Sequence, residues 1–214
     1  MLMNSRLIGR HSISILILSA ILCFSLFPLC YADLPPSRYF HCGDGHIHLI
    51  SVKNSASFKG QYRTDDGSYN QEALKGIHQV FCASYGDPIS EISLRLIEFL
   101  DSLEDVLCPE GRITIISGWR SPEYNRKLRD KGKLAAKASL HQYGMAADIK
   151  IEGIHPEHIW NHIKGLGFGG VGYYHGDLVH VDVGPPRSWD ETSSRPNRSP
   201  PHRRTASIRT RRRR

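Results

Sequence analysis

Two histidines and one aspartate limit what this chain can fold into more than any other feature. His141 and Asp148 lie in the stretch Ser139-Leu-His-Gln-Tyr-Gly-Met-Ala-Ala-Asp148, and His180 lies in Leu178-Val-His-Val-Asp182. Two neutral imidazoles and a carboxylate form a set of three zinc ligands, and a fourth tetrahedral position then stays open for water. An open position is typical of catalytic zinc sites and not of structural ones. The pattern therefore predicts one Zn2+ per chain, bound by His141, Asp148 and His180.

The residues around these three candidates predict their local structure. Gly144 and the small Ala146 and Ala147 suit a chain that turns after His141 and packs closely as it enters a strand. Asp148 then begins an alternating run of polar and apolar residues. Side chains two residues apart on a strand share a face, so His180 and Asp182 should point the same way.

Several separated motifs occur in a fixed order and together resemble one family. The motif Ser-x-His-x-x-Gly-x-Ala-x-Asp is followed by Gly169-Gly-Val-Gly-Tyr-Tyr174 and by Val179-His-Val-Asp-Val-Gly184. Upstream lies Ser117-Gly-Trp-Arg-Ser-Pro-Glu-Tyr-Asn125, and the chain continues into Gly184-Pro-Pro-Arg-Ser-Trp189. From about Tyr39 to Trp189 the chain resembles the M15-type zinc peptidoglycan peptidases. Within them it is most similar to the secreted murein endopeptidase branch, formerly a domain of unknown function.

The resemblance implies an α+β fold, in which helices pack on one side of a small antiparallel sheet and zinc lies in a cleft across it. This is the fold shared by zinc D-Ala-D-Ala peptidases and hedgehog-like domains. The implied function is a zinc-dependent murein endopeptidase, which cuts cross-links or stem peptides of peptidoglycan during cell wall remodelling. Two alternatives stay open, because a fold alone does not determine activity. One is a non-catalytic, zinc-containing wall-binding module, and the other is a D-Ala-D-Ala carboxypeptidase or dipeptidase.

A zinc peptidase also needs a carboxylate that takes a proton from water and passes it to the leaving amine. Asp182 and Asp177 are the candidates, and the sequence favours Asp182, which shares a strand face with His180. The alternative role for Asp182 is to orient His180 by a hydrogen bond. Asp177 precedes His180 by three residues, an offset at which similar enzymes often carry a longer glutamate.

Two further residues are predicted to bind substrate. Arg120 could bind a substrate carboxylate through two parallel hydrogen bonds or stabilise a developing oxyanion. The resemblance strengthens this prediction, because similar enzymes carry an arginine of this motif beside the zinc. By the same resemblance, Ser139 would hydrogen-bond substrate or help to hold the site together.

The N-terminal segment predicts export. Arg6 and Arg10 precede an apolar run from Ile13 to Phe27, and Cys30-Tyr-Ala32 follows it. This order is typical of a signal peptide over residues 1–32, cleaved after Ala32, for a periplasmic or secreted protein. An uncleaved membrane anchor is the alternative, because the run is near the lower length limit for spanning a membrane.

The remaining chain divides into a peptidase domain over residues 33–190 and a disordered basic tail over residues 191–214. The formal net charge is +7, but nine arginines lie after Glu191. Because the predicted domain itself is mildly acidic, the positive net charge of the whole chain does not indicate a nucleic-acid-binding protein. The tail either attaches the protein weakly to an anionic envelope surface or is only a solubilising extension. Nothing in the sequence implies a stable oligomer.

The pattern of apolar residues predicts secondary structure, and the cysteines predict at most one disulfide. We expect strands over Arg38–Ser51, Ala56–Arg63 and Ile113–Ile116, and helices starting at Asn70, Glu91, Pro122 and His155. Cys82 and Cys108 flank the long second helix and form the first candidate pair, which export would favour. The alternative is that Cys42, Cys82 and Cys108 are all unpaired.

Overall fold

The computed structural model describes residues 39–132, 135–174 and 178–191. These ranges contain seven β-strands, four α-helices and a short 3-10 helix. The strands are β1 (His46–Ser51), β2 (Ser57–Gln61), β3 (Ile113–Ser117), β4 (Ala146–Ile151), β5 (Gly170–Tyr174), β6 (Leu178–Asp182) and β7 (Arg187–Asp190). The helices are α1 (Gln71–Val80), α2 (Leu94–Leu107), α3 (Pro122–Asp130) and α4 (Pro156–Leu166), and the 3-10 helix spans Leu140–Tyr143.

All seven strands form one mixed sheet in the order β2-β1-β3-β4-β6-β5-β7. The pairs β1–β3 and β5–β7 are parallel, and the other four pairs are antiparallel. The prediction of a small antiparallel sheet is therefore wrong in both size and strand direction. The pair β1–β3 is parallel because β2, α1 and α2 lie between these strands in the chain and return it to the end of the sheet at which β1 begins. The pair β5–β7 is parallel because the chain turns back after β6 and pairs with the edge of β5 that faces away from β6.

The two faces of the sheet differ in character. On one face, neighbouring strands place apolar side chains opposite one another in cross-strand rows: Leu49, Ile113 and Ile151; Ile115, Ile149 and Val179; Ala147, Val181 and Val171. All of these residues are buried, and α1, α2 and α4 contact the strands that carry them. Alternation along each strand leaves the opposite face free for polar side chains. The predicted cleft across a helix-covered sheet lies on that face.

The first strand is shorter than predicted, because backbone groups before it bind elsewhere. The amide of Asp44 donates to Asp105 Oδ2 at 2.8 Å, and the amide of Gly45 donates to Asp101 Oδ2 at 3.0 Å. Gly45 has φ +94°, a left-handed conformation that glycine adopts without strain. These bonds tie the segment to α2, and sheet pairing begins only at His46.

The predicted helices are all present, with one start displaced. Asn70 is the N-cap of α1, because its side chain accepts hydrogen bonds from the amides of Glu72 and Ala73. The long helix starts at Leu94 and not at Glu91. The amide of Ser93 donates to the carbonyl oxygen of Gly144 at 3.0 Å. The predicted first turn of α2 is thus extended chain that packs against the loop after His141.

The predicted disulfide is absent from the described chain. Cys42, Cys82 and Cys108 are each free and partly buried. The pairing of Cys82 with Cys108 was therefore wrong. Flanking the same helix does not by itself bring two side chains within bonding distance.

The termini of the chain lie outside the described residues. The predicted signal peptide over residues 1–32 and almost all of the predicted basic tail belong to those parts, so the domain boundaries stay predictions. Within residues 39–132, 135–174 and 178–191, no helix combines the length and the apolar character that crossing a membrane requires.

Candidate active site

One row of residues across five strands forms the base of the site. Cross-strand pairing places Ser117 opposite Asp148, Asp148 opposite His180, His180 opposite Gly172, and Gly172 opposite Trp189. A β-bulge between Ile115 and Ser117 brings Ser117 into register with Asp148. All five positions lie on the polar face. The sheet itself thus brings Asp148 and His180 together, although 31 residues lie between them in the sequence.

His141 reaches the same point from outside the sheet. It lies in the 3-10 helix before β4, which ends at Gly144 in a left-handed conformation with φ +61°. A Cβ atom on Gly144 would lie 2.0 Å from the carbonyl oxygen of Glu91, so glycine is required both for φ and for the close approach. The predicted turn after His141 is confirmed.

Three donor atoms converge where His141 meets the row. Asp148 Oδ1 lies 3.0 Å from His180 Nδ1 and 3.2 Å from His141 Nε2, and the two nitrogen atoms are 3.2 Å apart. Ligands about 2.0–2.1 Å from a tetrahedral zinc ion are separated by roughly 3.3 Å. The three atoms are therefore spaced as one face of a zinc tetrahedron, and His141, Asp148 and His180 fit the predicted metal.

The other nitrogen of each histidine ring is held by a group that only accepts hydrogen bonds. His141 Nδ1 donates to the carbonyl oxygen of Gly118 at 2.8 Å. His180 Nε2 donates to Asp182 Oδ2 at 3.0 Å. These bonds fix the tautomers and direct the lone pairs of Nε2 of His141 and Nδ1 of His180 toward Asp148. This arrangement is what a metal ligand set requires.

The motif at Ser117–Arg120 holds the ligands in place. Gly118 accepts the bond from His141, and the Arg120 amide donates to the carbonyl oxygen of His141 at 3.1 Å. Trp119 Nε1 donates to the carbonyl oxygen of Gln142 at 3.3 Å. The guanidinium of Arg120 donates to Ser117 Oγ at 2.9 Å and binds Asp148 Oδ2. The outer oxygen of Asp148 is thereby occupied, and Oδ1 faces the two histidines.

Burial and charge set the protonation of the three candidate ligands. Burial lowers the pKa of His141, which keeps this ring neutral. Burial alone would raise the pKa of Asp148, but the charges and hydrogen bonds of His141 and His180 hold it below the usual range. For His180, hydrogen bonds to Asp148 and Asp182 outweigh burial and raise the pKa. Nδ1 of His180 therefore favours a positive partner, and a bound metal would take the place of its proton.

Asp182 lies on the far side of the His180 ring. Its carboxylate binds His180 Nε2, whereas the converging donor atom of that ring is Nδ1. Asp182 is fully buried and also accepts hydrogen bonds from the amides of Gly170 and Gly184 and from Arg187. These contacts favour the role of orienting His180, which was the alternative prediction, over that of a general base. Asp177 lies outside the described residues.

A groove of about 490 Å³ opens above the three donor atoms. Its walls include Arg120, Ser139, Tyr174, Leu178, Arg187 and Trp189. Arg120 and Ser139 are therefore at the groove, as a substrate-binding role requires, but that role stays a prediction. The site lies on the polar face of the sheet and has room for an extended peptide segment.

Residues 43–189 match the family described as peptidoglycan L,D-endopeptidase MepK. This match contains the whole groove and all three candidate ligands. The chain belongs to this family of M15-type peptidoglycan peptidases. It is 34% identical over 144 residues to peptidoglycan L,D-endopeptidase MepK of Escherichia coli strain K12, which covers 67% of this chain and 79% of the relative.

A second organism provides a shorter match. A probable peptidoglycan L,D-endopeptidase MepK of Haemophilus influenzae is 38% identical over 80 residues, 37% of this chain and 43% of the relative. Membership of the family confirms the predicted resemblance. The chain is a peptidoglycan hydrolase with a role in cell wall remodelling, and its family is generally zinc-dependent.

Two residues of this M15-type site were missed in the sequence. Arg187 binds Asp182, and the Trp189 ring lies 5.2 Å from that of His180, centroid to centroid. Both belong to a motif that carried part of the resemblance, but no function was assigned to them. The sequence signal for these two residues is the pair Gly170 and Gly172. Because these glycines have no side chains, Arg187 and Trp189 can extend across β5.

We expect His180→Ala to lose most of its zinc, because it removes one of three ligands and leaves Asp148 and His141 without their shared partner. The measurement is elemental analysis of the purified protein after dialysis. His158→Ala is the matched control, because His158 is an exposed histidine of α4 outside the cluster. Full zinc occupancy in the His180 variant would mean that this ligand assignment is wrong.

Proposed function

We propose that this chain is a zinc-dependent murein endopeptidase that cleaves an L,D peptide bond of peptidoglycan. One zinc ion per chain would be held by His141, Asp148 and His180. The observation that supports this most directly is the convergence of three ligand atoms within 3.2 Å of one another at the bottom of an open groove. The L,D specificity follows that of the related peptidoglycan L,D-endopeptidase MepK of Escherichia coli.

When bound, zinc supplies a Lewis acid that polarises the scissile carbonyl and makes a water molecule more acidic. The protein then has to position the peptide, stabilise the negative charge on the carbonyl oxygen and move a proton. Arg120 is placed for the second task, because its guanidinium lines the groove beside Asp148. Ser139 lines the same groove and is proposed to hydrogen-bond the substrate backbone.

For the proton transfer we propose different roles for the two predicted aspartates. Asp182 has both oxygens occupied by hydrogen bonds, which together with His180 and Arg187 hold its pKa low although burial acts in the opposite direction. A carboxylate held in this way is a poor proton acceptor, and Asp182 therefore acts through His180. Asp177 is left as the candidate base, since it immediately precedes Leu178, which lines the groove.

The function is tested on two purified substrates that share the L-Ala–D-Glu bond of the stem and differ in whether they also carry an L,D cross-link. The first is a stem peptide with its L-Ala–D-Glu bond, and the second is a dimer of stems joined by an L,D cross-link. We expect cleavage of the L-Ala–D-Glu bond or of the L,D cross-link, loss of activity with a chelator and recovery with added Zn2+. Mass spectrometry of the products identifies the bond.

A third substrate serves as the specificity control. A dimer joined through D-Ala carries a D,D cross-link, and this bond should stay intact. Cleavage of the D,D cross-link alone, with every L,D bond left intact, would contradict the L,D assignment. Binding to purified sacculi without any hydrolysis, in a zinc-loaded sample, would instead support the non-catalytic wall-binding module.

The roles of the aspartates are separated by conservative substitutions. We expect Asp177→Asn to keep its zinc and to lose roughly two to four orders of magnitude in turnover, as removal of a general base does. Asp182→Asn should weaken zinc affinity by about 10- to 100-fold, because it removes the acceptor that orients a ligand. Zinc content and kcat are measured on the same samples. Loss of activity at full zinc occupancy in Asp182→Asn, with Asp177→Asn active, would reverse the assignment.

We also propose that the protein is exported and retained at an anionic envelope surface by its arginine-rich tail. The charged start, the apolar run and Ala32 support export, and the nine arginines after Glu191 support retention. Exposed charges are screened over about 8 Å at physiological salt. Protein purified from the envelope fraction should begin at Asp33. Because salt screens the arginines of the tail, the protein should be released from the envelope as the salt concentration rises. A chain truncated after Glu191 should show no salt-dependent retention but hydrolyse soluble substrate normally.

A further inference from the structure

Strand β7 lies at the edge of the sheet and carries none of the three candidate ligands. It pairs in parallel with β5, one strand away from β6. Two of its side chains nevertheless extend across β5 toward β6. Arg187 reaches Asp182, and Trp189 reaches His180. The edge strand therefore contacts the residues that hold the candidate metal.

The contact between Arg187 and Asp182 is a two-point hydrogen-bonded ion pair. Arg187 Nη2 donates to Asp182 Oδ2 at 2.6 Å, and Nη1 donates to Asp182 Oδ1 at 3.1 Å. A guanidinium bound to both oxygens fixes the plane of a carboxylate as well as its position. Because Oδ2 also accepts the hydrogen bond of His180 Nε2, the plane of Asp182 determines where this imidazole points.

Two glycines of β5 make this reach possible. A Cβ atom on Gly170 would lie 2.3 Å from Asp182 Oδ2 and 2.6 Å from Arg187 Nη1. A Cβ atom on Gly172 would lie 2.4 Å from the Trp189 ring. Neither glycine has the positive φ that would itself require glycine. The space above β5 is therefore occupied by the two side chains of β7, and any other residue would displace them.

We infer that Arg187 is a positioning residue of the metal centre, which acts through Asp182 to hold His180 in the orientation for zinc binding. Gly170 provides its passage across β5. This inference rests on the proposed zinc peptidase function. It differs from a substrate-binding role, which the position of Arg187 in the wall of the groove would also allow.

The test uses the chain from Asp33 to Arg214, with Zn2+ itself as the probe. The variants are Arg187→Gln, Arg187→Lys and Gly170→Ala. Zinc dissociation constants are measured by competition with a chromophoric chelator. The values of kcat and KM are measured on the cleaved peptide at saturating zinc, and thermal unfolding is measured on the zinc-free proteins.

Arg112→Gln is the arginine control, because Arg112 pairs with Glu152 and its side chain is 40% exposed, against 44% for Arg187. Gly165→Ala is the glycine control, because its Cβ would meet nothing within 4 Å.

We expect Arg187→Gln and Gly170→Ala to bind zinc about tenfold more weakly, as loss of an outer hydrogen-bond partner typically does. In both variants kcat should fall while KM stays unchanged. Arg187→Lys should lie between these and the native protein, because an ammonium keeps the charge but not the two-point contact. Both control variants should match the native protein. Equal unfolding temperatures of the zinc-free proteins would separate this effect from a general loss of stability.

Native zinc affinity in Arg187→Gln together with a raised KM would overturn the inference and assign Arg187 to substrate binding. If that variant fails to fold, native affinity in Gly170→Ala and Arg187→Lys would overturn it equally. A native protein that binds no zinc would refute the proposed function and the inference with it. A native protein that binds zinc but cleaves no peptide would refute only the function, and the affinity measurements would still decide the role of Arg187.

Discussion

The structure depends on holding two imidazoles and a carboxylate within 3.2 Å of one another on the polar face of a sheet. Such a group of polar atoms is costly to bury, because each loses contact with water. The protein compensates by giving every candidate ligand a second partner outside the cluster. Gly118 binds His141, Arg120 binds Asp148, and Asp182 binds His180. The convergence thus requires a wider network around it.

Two arginines balance the two carboxylates of this network when both histidines are neutral, the form in which imidazoles bind a metal. Asp148 is paired with Arg120, and Asp182 is paired with Arg187. With both histidines neutral, these four groups carry no net charge. The two positive charges of a bound zinc ion would then give the site a net positive charge at the bottom of the groove. This charge favours an electronegative atom at the open position, either the oxygen of water or the carbonyl oxygen of a peptide.

The seven-stranded sheet is a frame that places this network by register. Asp148 and His180 are opposite one another on β4 and β6, and Arg187 and Trp189 follow on β7. Apolar residues of the same strands alternate with them and fill the core on the other face. A shift of one residue in the pairing of β4 or β6 would move Asp148 or His180 into the core. Packing of the helices against the apolar face therefore also keeps the ligands on the open face.

Local patterns were enough to predict the three candidate ligands as residues that converge, the turn at Gly144 and the presence of the four helices. Each of these depends on residues close in sequence or on a motif whose chemistry is recognisable. The size and mixed direction of the sheet, the late start of α2 and the free cysteines could not be predicted. These depend on contacts between segments far apart in the chain, such as the hydrogen bond between Ser93 and Gly144.

The proposed roles of Asp182, Arg187 and the two glycines of β5 illustrate the same limit. Strand alternation in the sequence put Asp182 on the face of His180, but not on the side of the ring away from the other donor atoms. Nothing in the sequence placed Arg187 beside it, since that contact requires β7 to pair with β5. The sequence by itself determined which residues could bind zinc. Only the tertiary structure decided which residues orient them, because orientation depends on which strands become neighbours.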